Sequence, residues 1–220
     1  SACLVGSEMC IRDRVYRARI QGYTSEGLGV ARIDGQAVFV HQALRGEECD
    51  ILVLKVLKNA AFGKAVRVYE PSPHRVEPDC PYYGRCGGCD FRHMDREEEL
   101  EAKRQRVQDA LRRIGGSDVT VEGILSGEPL HYRNKVHAVF TTDRKGNVIS
   151  GVYEEGTHRV VAVDNCLIEN EKADEIIATI RKLIPSFKLK VYDEDRRTGL
   201  FRHVLIRTAH STGQIMVVLV

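Results

Sequence analysis

The sequence predicts a mixed fold: a small all-β barrel of the oligonucleotide-binding type, an irregular metal-binding loop, and an α+β domain. Three observations carry this. Short Val-, Ile- and Tyr-rich runs separated by turn residues fill positions 15–70. Pro71, Pro73, Pro78 and Pro81 then rule out regular structure across 71–94. Beyond that, helical and alternating patterns intermix over 95–220.

Residues 1–14 show no periodicity that leads into the next segment. The string resembles a translated sequencing adaptor, so it is set aside as a non-native scar together with Cys3 and Cys10. Five strands are expected at 15–20, 27–33, 37–40, 49–57 and 64–69, with Asp34-Gly35 as a tight hairpin turn. Five short strands suit a small oligonucleotide-binding barrel. Gly27-Leu-Gly29 has no helix after it, so it reads as barrel-turn chemistry and not as a phosphate loop.

Asp95 is a good N-cap, with Glu98 three residues on. Leu100, Val107, Leu111 and Ile114 mark an apolar stripe. Arg112 and Arg113 suit the helix C-terminus, and Gly115-Gly116 stops it. Lys103, Arg104 and Arg106 read as a solvated face. Further strands are expected at 135–141, 148–153, 159–163, 187–192, 203–208 and 214–220. A helix is expected over 169–184, carrying Ile176, Ile177, Ile180 and Ile184 and ending at Pro185. Residues 143–147 form the hairpin turn between the first two of those strands. The sequence stops inside the apolar run 215–220, which reads as a buried strand and hence as a truncated protein.

The cysteines are the most informative residues. Cys80, Cys86 and Cys89 share one loop, and Cys166 follows far downstream in Asp-Asn-Cys-Leu-Ile. With no signal peptide and no apolar run long enough to span a membrane, a reducing cytoplasm is expected, where such a loop reads as a metal site. Zinc knuckles space their ligands two to four residues apart, whereas the first gap here is five residues. That wider loop suits an iron–sulfur cluster, which also takes four thiolates, and zinc remains the alternative. Gly87 and Gly88 permit the tight turn and leave backbone N–H groups near sulfur. Cys49 reads as a strand residue.

Hydrophobic residues make up 43% of the 220, enough for a core, and the net charge of +2 does not mark a nucleic-acid binder. Its distribution is more telling: residues 181–207 hold eight Lys and Arg against three acids. A local basic surface binds phosphate even on a nearly neutral protein.

Several stretches then match one family in order: Gly-Leu-Gly-Val-Ala-Arg with Val-Phe-Val-His, Ala-Leu-Arg-Gly-Glu, Arg75-Val-Glu-Pro-Asp-Cys, Arg85-Cys-Gly-Gly-Cys-Asp, His131-Tyr-Arg-Asn-Lys, Gly151-Val-Tyr, and Thr198-Gly-Leu-Phe-Arg-His-Val-Leu-Ile-Arg. From about residue 15 onward the chain resembles the N-terminal half of the cluster-bearing bacterial 23S ribosomal RNA (uracil-5-)-methyltransferases. The resemblance implies that 15–70 are a TRAM RNA-binding barrel and that 71–94 are a cluster loop. It implies that 95–220 are a central RNA-binding domain that stops before the methyltransferase domain. Cys80, Cys86, Cys89 and Cys166 would hold a [4Fe-4S] cluster that orders the loop. Arg133, Lys135, Arg159, Arg202 and His203 would contact RNA, 23S rRNA by the cluster loop. S-adenosylmethionine would be the methyl donor, bound by the missing half, on a monomeric protein with no membrane partner. This portion alone would be inactive. Tyr82 and Tyr83 could stack a base or pack over the cluster, and packing is favoured because ring burial shields a cluster from solvent. Two rival readings stand beside it. One is a non-catalytic zinc-stabilised RNA-binding module. The other is a radical methylthiolating enzyme, which the five-residue gap and the fourth cysteine disfavour.

Overall fold

Hairpin chemistry in the N-terminal third builds one curled sheet. Its strands are β1 (Val15–Arg19), β2 (Gly22–Tyr23), β3 (Gly29–Ile33), β4 (Gln36–His41), β5 (Glu48–Val56) and β6 (Ala60–Glu70). In this computed structural model, which describes residues 14–154 and 156–220, they lie in the order β1-β5-β6-β4-β3-β2. All pairs are antiparallel except β4 with β6. The expected scar, with Cys3 and Cys10, falls outside the described residues apart from Arg14.

Asp34 (φ 49°) and Gly35 (φ 82°) both adopt left-handed backbone, as a two-residue hairpin turn requires. Three register shifts between β5 and β6 bend the sheet. Gly63 sits where a Cβ would meet the Leu52 carbonyl oxygen at 2.7 Å. The structure therefore has six strands where five were expected. The sixth, β2, is two residues long and too short for an alternation pattern to reveal. Ile20, Val38, Val40, Cys49, Ile51 and Val53 fill the core inside the curl. Burial pushes the Cys49 thiol up to about 11, so it remains an apolar strand residue.

Residues up to Asp79 and Asp90–Leu125 form one compact unit, and Cys80–Cys89 with Ser126–Val220 form the other. The first unit contains α1 (Arg96–Arg113), whose N-cap Asp95 accepts the Glu98 N–H at 2.9 Å. Gly116 (φ 60°) follows its end. The expected apolar stripe is not what α1 buries. Val107 and Ile114 are 51% and 88% exposed, while Glu98, Ala102 and Gln108 are buried. Hydrogen bonds explain this. The Glu98 carboxylate accepts from Tyr23 Oη at 2.7 Å and from Arg45 at 3.0 Å. The Gln108 amide bonds Val119 O and the Val121 N–H. Hydrophobic periodicity cannot see a face held by polar partners. Nor is the basic face simply solvated: Lys103 pairs with Glu99, Arg104 with Glu101, and Arg106 donates to Ser25 O.

Glu47 is the most buried charge of this unit, at 0% exposure. Arg75 grips it through Nε at 2.5 Å and Nη2 at 2.6 Å, and the N–H groups of Leu44 and Ser72 donate to the same carboxylate. Burial alone would raise its pKa, but these donors outweigh burial and hold it below the usual range. Arg75 also donates to Gln42 O and bridges Met94. Nearby, Val76 N–H donates to His93 O and Asp95 N–H to His74 O. Asp79 and Arg92 close the stem with two bonds of 2.7 and 2.8 Å.

The second unit holds β7 (Lys135–Thr142), β8 (Val148–Tyr153), β9 (Val160–Ala162), α2 (Glu171–Ser186), β10 (His203–Thr208) and β11 (Ile215–Leu219). The strands make an antiparallel sheet in the order β11-β10-β7-β8-β9. α2 covers one face, packing Ala173, Ile177 and Ile184 on Val136, Ala138, Phe140, Val204 and Ile206. Asn170 caps α2, and Pro185 lies in its last turn, not after it. The turn between β7 and β8 forms as expected, with Asp143 accepting the N–H groups of Lys145 and Asn147.

Two expectations fail here. No strand forms over 187–192. Lys188 is left-handed (φ 56°) after the helix, and only an isolated Val191–Phe201 bridge remains. The last strand is not buried: all five residues of β11 are exposed. Among the described residues no helix is long and apolar enough to cross a membrane.

Arg75→Ala leaves the Glu47 charge buried without its partner and is expected to destabilise the first unit by about 3–5 kcal/mol, read from the urea midpoint. Acid should act on the same cluster. Burial and the adjacent Arg75 lower His93 to about 4. The unfolded chain takes up this proton near pH 6.5 while the folded chain resists it, so stability should fall steadily as pH drops from about 6.5 to about 4. Loss of the Glu47 contribution follows at lower pH. A pH series of urea melts checks the slope, which His93→Gln should flatten.

Candidate functional site

The cysteine loop belongs to the second unit. Tight backbone bonds shape it: Tyr83 N–H donates to Cys80 O, and both Arg85 and Cys86 donate to Tyr82 O, each at 3.1 Å. Gly84 and Gly87 take positive φ of 76° and 65°. Gly88 N–H donates to Cys86 Sγ at 3.3 Å, an amide-to-sulfur bond of the kind foreseen from the glycine pair.

Two contacts fix the loop against the rest of its unit. Tyr82 Oη accepts the Asp164 N–H at 3.2 Å, two residues before Cys166. Arg133 donates to Gly88 O at 3.4 Å. Cys166 N–H in turn donates to Asp174 in the first turn of α2 at 2.8 Å. The loop and Cys166 are thus drawn to the same end of α2.

That end carries an acidic pair which spacing gave no reason to notice. Burial, and then the neighbouring Asp174, push the Glu169 carboxyl up to about 7, against the opposing pull of Arg133. Burial likewise raises Asp174 and the Cys166 thiol. Arg133 and Glu169 also pair through their backbones.

None of the four cysteines forms a disulfide among the described residues, and each is half-buried. Among the described residues, no three His, Cys, Asp or Glu side chains stand close enough to hold a single metal ion. The donor set is nonetheless what a thiolate-bound centre needs: three sulfurs on one turn, a fourth on the segment that the turn's own Tyr82 touches, and an amide already directed at sulfur. These residues fit such a group.

The five basic candidates separate. Arg133 is spent on the loop and Glu169. Arg159 pairs with Glu154 at 2.8 Å. Arg202 pairs with Glu194 and lies 5.1 Å over the Tyr192 ring. Only Lys135 and His203 share one sheet face. His203 stacks edge-to-face on His137 at 4.8 Å, its Nδ1 is buried without a hydrogen-bond partner, and burial lowers its pKa. Tyr153, His158, Tyr192, Glu194 and Arg202 line a separate groove of about 610 Å³.

Known proteins match on both levels. Residues 12–66 match the TRAM domain family. An "Uncharacterized RNA methyltransferase" of Clostridium tetani is 43% identical over 210 residues, covering 95% of this chain and 45% of that protein. A second, from Halalkalibacterium halodurans, is 40% identical over 211 residues, covering 95% and 46%. The chain therefore spans a little under half the length of these curated relatives. A Pyrococcus abyssi tRNA (uracil-54, C5)-methyltransferase, solved with S-adenosyl-L-homocysteine, shares the fold. Its TM-score is 0.66 at 24% identity, over 92% of this chain and 45% of that one.

Arg133→Ala removes a loop anchor worth about 1 kcal/mol and is expected to speed protease cleavage within 80–89 about fivefold. Mass spectrometry of the fragments locates and times the cut.

Proposed function

We propose that this chain is the RNA-binding portion of an S-adenosylmethionine-dependent RNA methyltransferase that forms 5-methyluridine, with 23S rRNA as its substrate. The observation that carries the proposal is the 43% identity across 95% of the chain to a protein named RNA methyltransferase. The TRAM match over 12–66 supports an RNA partner. The uracil specificity is supported by the fold shared with the tRNA methyltransferase. The ribosomal target rests on the Cys-x5-Cys-x2-Cys loop.

On this reading 15–70 are the TRAM domain, 71–94 the cluster loop and 95–220 a central RNA-binding domain. The methyl donor is bound by residues outside this chain, and the 220 residues alone transfer no methyl group. What these residues do is grip RNA and hold it so that the target base is exposed.

Cys80, Cys86, Cys89 and Cys166 are the ligands of a [4Fe-4S] cluster, which supplies four iron–thiolate bonds and so a cross-link between the loop and the segment before α2. The Gly88 N–H bond to Cys86 Sγ supports this reading, since cluster sulfurs take such bonds.

The test is iron, sulfide and zinc content of anaerobically purified protein. About four irons and four sulfides per chain are expected. One zinc without sulfide would replace the cluster with a structural zinc module. Cys89→Ser is expected to lose the metal and expose the loop to protease; unchanged metal content would remove Cys89 from the ligand set.

A further inference from the structure

The sheet of the second unit has one face covered by α2 and one face free of any helix. Strand alternation and register place Lys135 and His137 of β7, His203, Leu205 and Arg207 of β10, and Met216 of β11 together on the helix-free face. Their even-numbered neighbours Val136, Ala138, Val204 and Ile206 point the other way, into the α2 core.

Lys135 lies directly opposite Arg207 in the register. Like charges in that position repel. Both side chains are exposed, and neither forms an ion pair among the described residues. No strand position on this face of β7, β8, β9, β10 or β11 is Asp or Glu. The pair is thus an uncompensated cationic site set against the β-ladder, and an anion between the two would reverse the sign of their interaction. Farther along the same face, two residues from Lys135 and four from Arg207, sit the stacked His137 and His203 rings, 4.8 Å apart, with the buried His203 Nδ1 unpartnered among the described residues. Leu205 and Met216 continue the surface as apolar ground.

We infer that this open sheet face is a platform for single-stranded RNA, with phosphate held between Lys135 and Arg207 and a base stacked on the His137–His203 pair. It rests on the RNA reading above. Complementary charge decides for nucleic acid: two cations with no ion pair among the described residues, on strands that carry no carboxylate of their own, suit a polyanion. The rings decide for a single strand. Unstacked bases offer flat faces to aromatic side chains, whereas an A-form duplex keeps its bases stacked inside. The face also divides the basic residues by role: Arg133, Arg159 and Arg202, each occupied by an acid or a carbonyl, are not part of it.

The experiment is fluorescence anisotropy of the full 220-residue chain with a labelled RNA dodecamer, single-stranded or annealed to its complement, over a salt series. Urea midpoints confirm that each variant folds. The single strand is expected to bind in preference to the duplex. Lys135→Ala with Arg207→Ala should weaken it about tenfold or more and flatten the log–log salt slope by about 1.4, the value for two lost phosphate contacts on a single strand. His137→Ala should weaken binding about tenfold at an unchanged salt slope, the signature of lost stacking. Arg159→Ala should bind as the parent does. Parent-like affinity in the double variant would overturn the platform while leaving the RNA reading intact. No binding by the parent chain to either RNA would overturn both. Self-association that Met216→Lys abolishes, with RNA affinity unchanged in every variant, would assign the face to a second copy instead.

Discussion

The first unit depends on one buried charge. Glu47 has no water to solvate it, so its ionised form survives only because four donors converge on it: two from Arg75 and one each from Leu44 and Ser72. Those donors come from the loop after β4 and from the irregular segment after β6. That loop and a proline-rich stretch with no regular secondary structure are thereby fixed to one point. The segment from His74 to Asp79 then pairs with residues 92–95, and Asp79 and Arg92 close it. The Glu47–Arg75 pair thus joins this proline-rich stretch to the sheet. A buried ion pair of this kind is weak evidence for extra stability but strong evidence for a unique geometry, because no other arrangement satisfies the carboxylate.

The sequence was legible where local chemistry acts alone. Asp34-Gly35, Asp143–Asn147, the Asp95 cap and the stop at Gly115-Gly116 all form where turn and cap rules put them, because each needs only its immediate neighbours. It was illegible where partners come from afar. Nothing near Glu98 or Gln108 announces that they, and not Val107 or Ile114, face inward; the partners of Glu98 are Tyr23 and Arg45, more than fifty residues away in sequence. Likewise 187–192 has strand composition, but a proline in the last turn of α2 and left-handed Lys188 aim the backbone away from the ladder. Alternation states what a segment can do, and the connections at its ends decide whether it does so.

The candidate site shows the same division. The four cysteines and the glycine turn were visible as spacing. That Tyr82 anchors to Asp164, and that Glu169 pairs with Asp174 behind Cys166, were not, because the first joins segments 82 residues apart and the second lies in no motif. The acidic pair has a physical consequence. Half-buried thiols beside two carboxyls are harder to ionise, as the raised Cys166 shows.

Counting charges would not have found the open sheet face. The chain is nearly neutral, and three of the eight cations in its basic stretch, 181–207, are held by acids. Arg181 is taken by Asp164, Arg196 faces Asp193, and Arg202 is held by Glu194. A cation held by a neighbouring carboxylate has little field left for a phosphate several ångströms away, and salt screens what remains. Lys135 and Arg207 differ: the β-ladder holds them opposite each other, and among the described residues neither forms an ion pair. On the inference above, the repulsion in that pair is what an incoming phosphate would relieve.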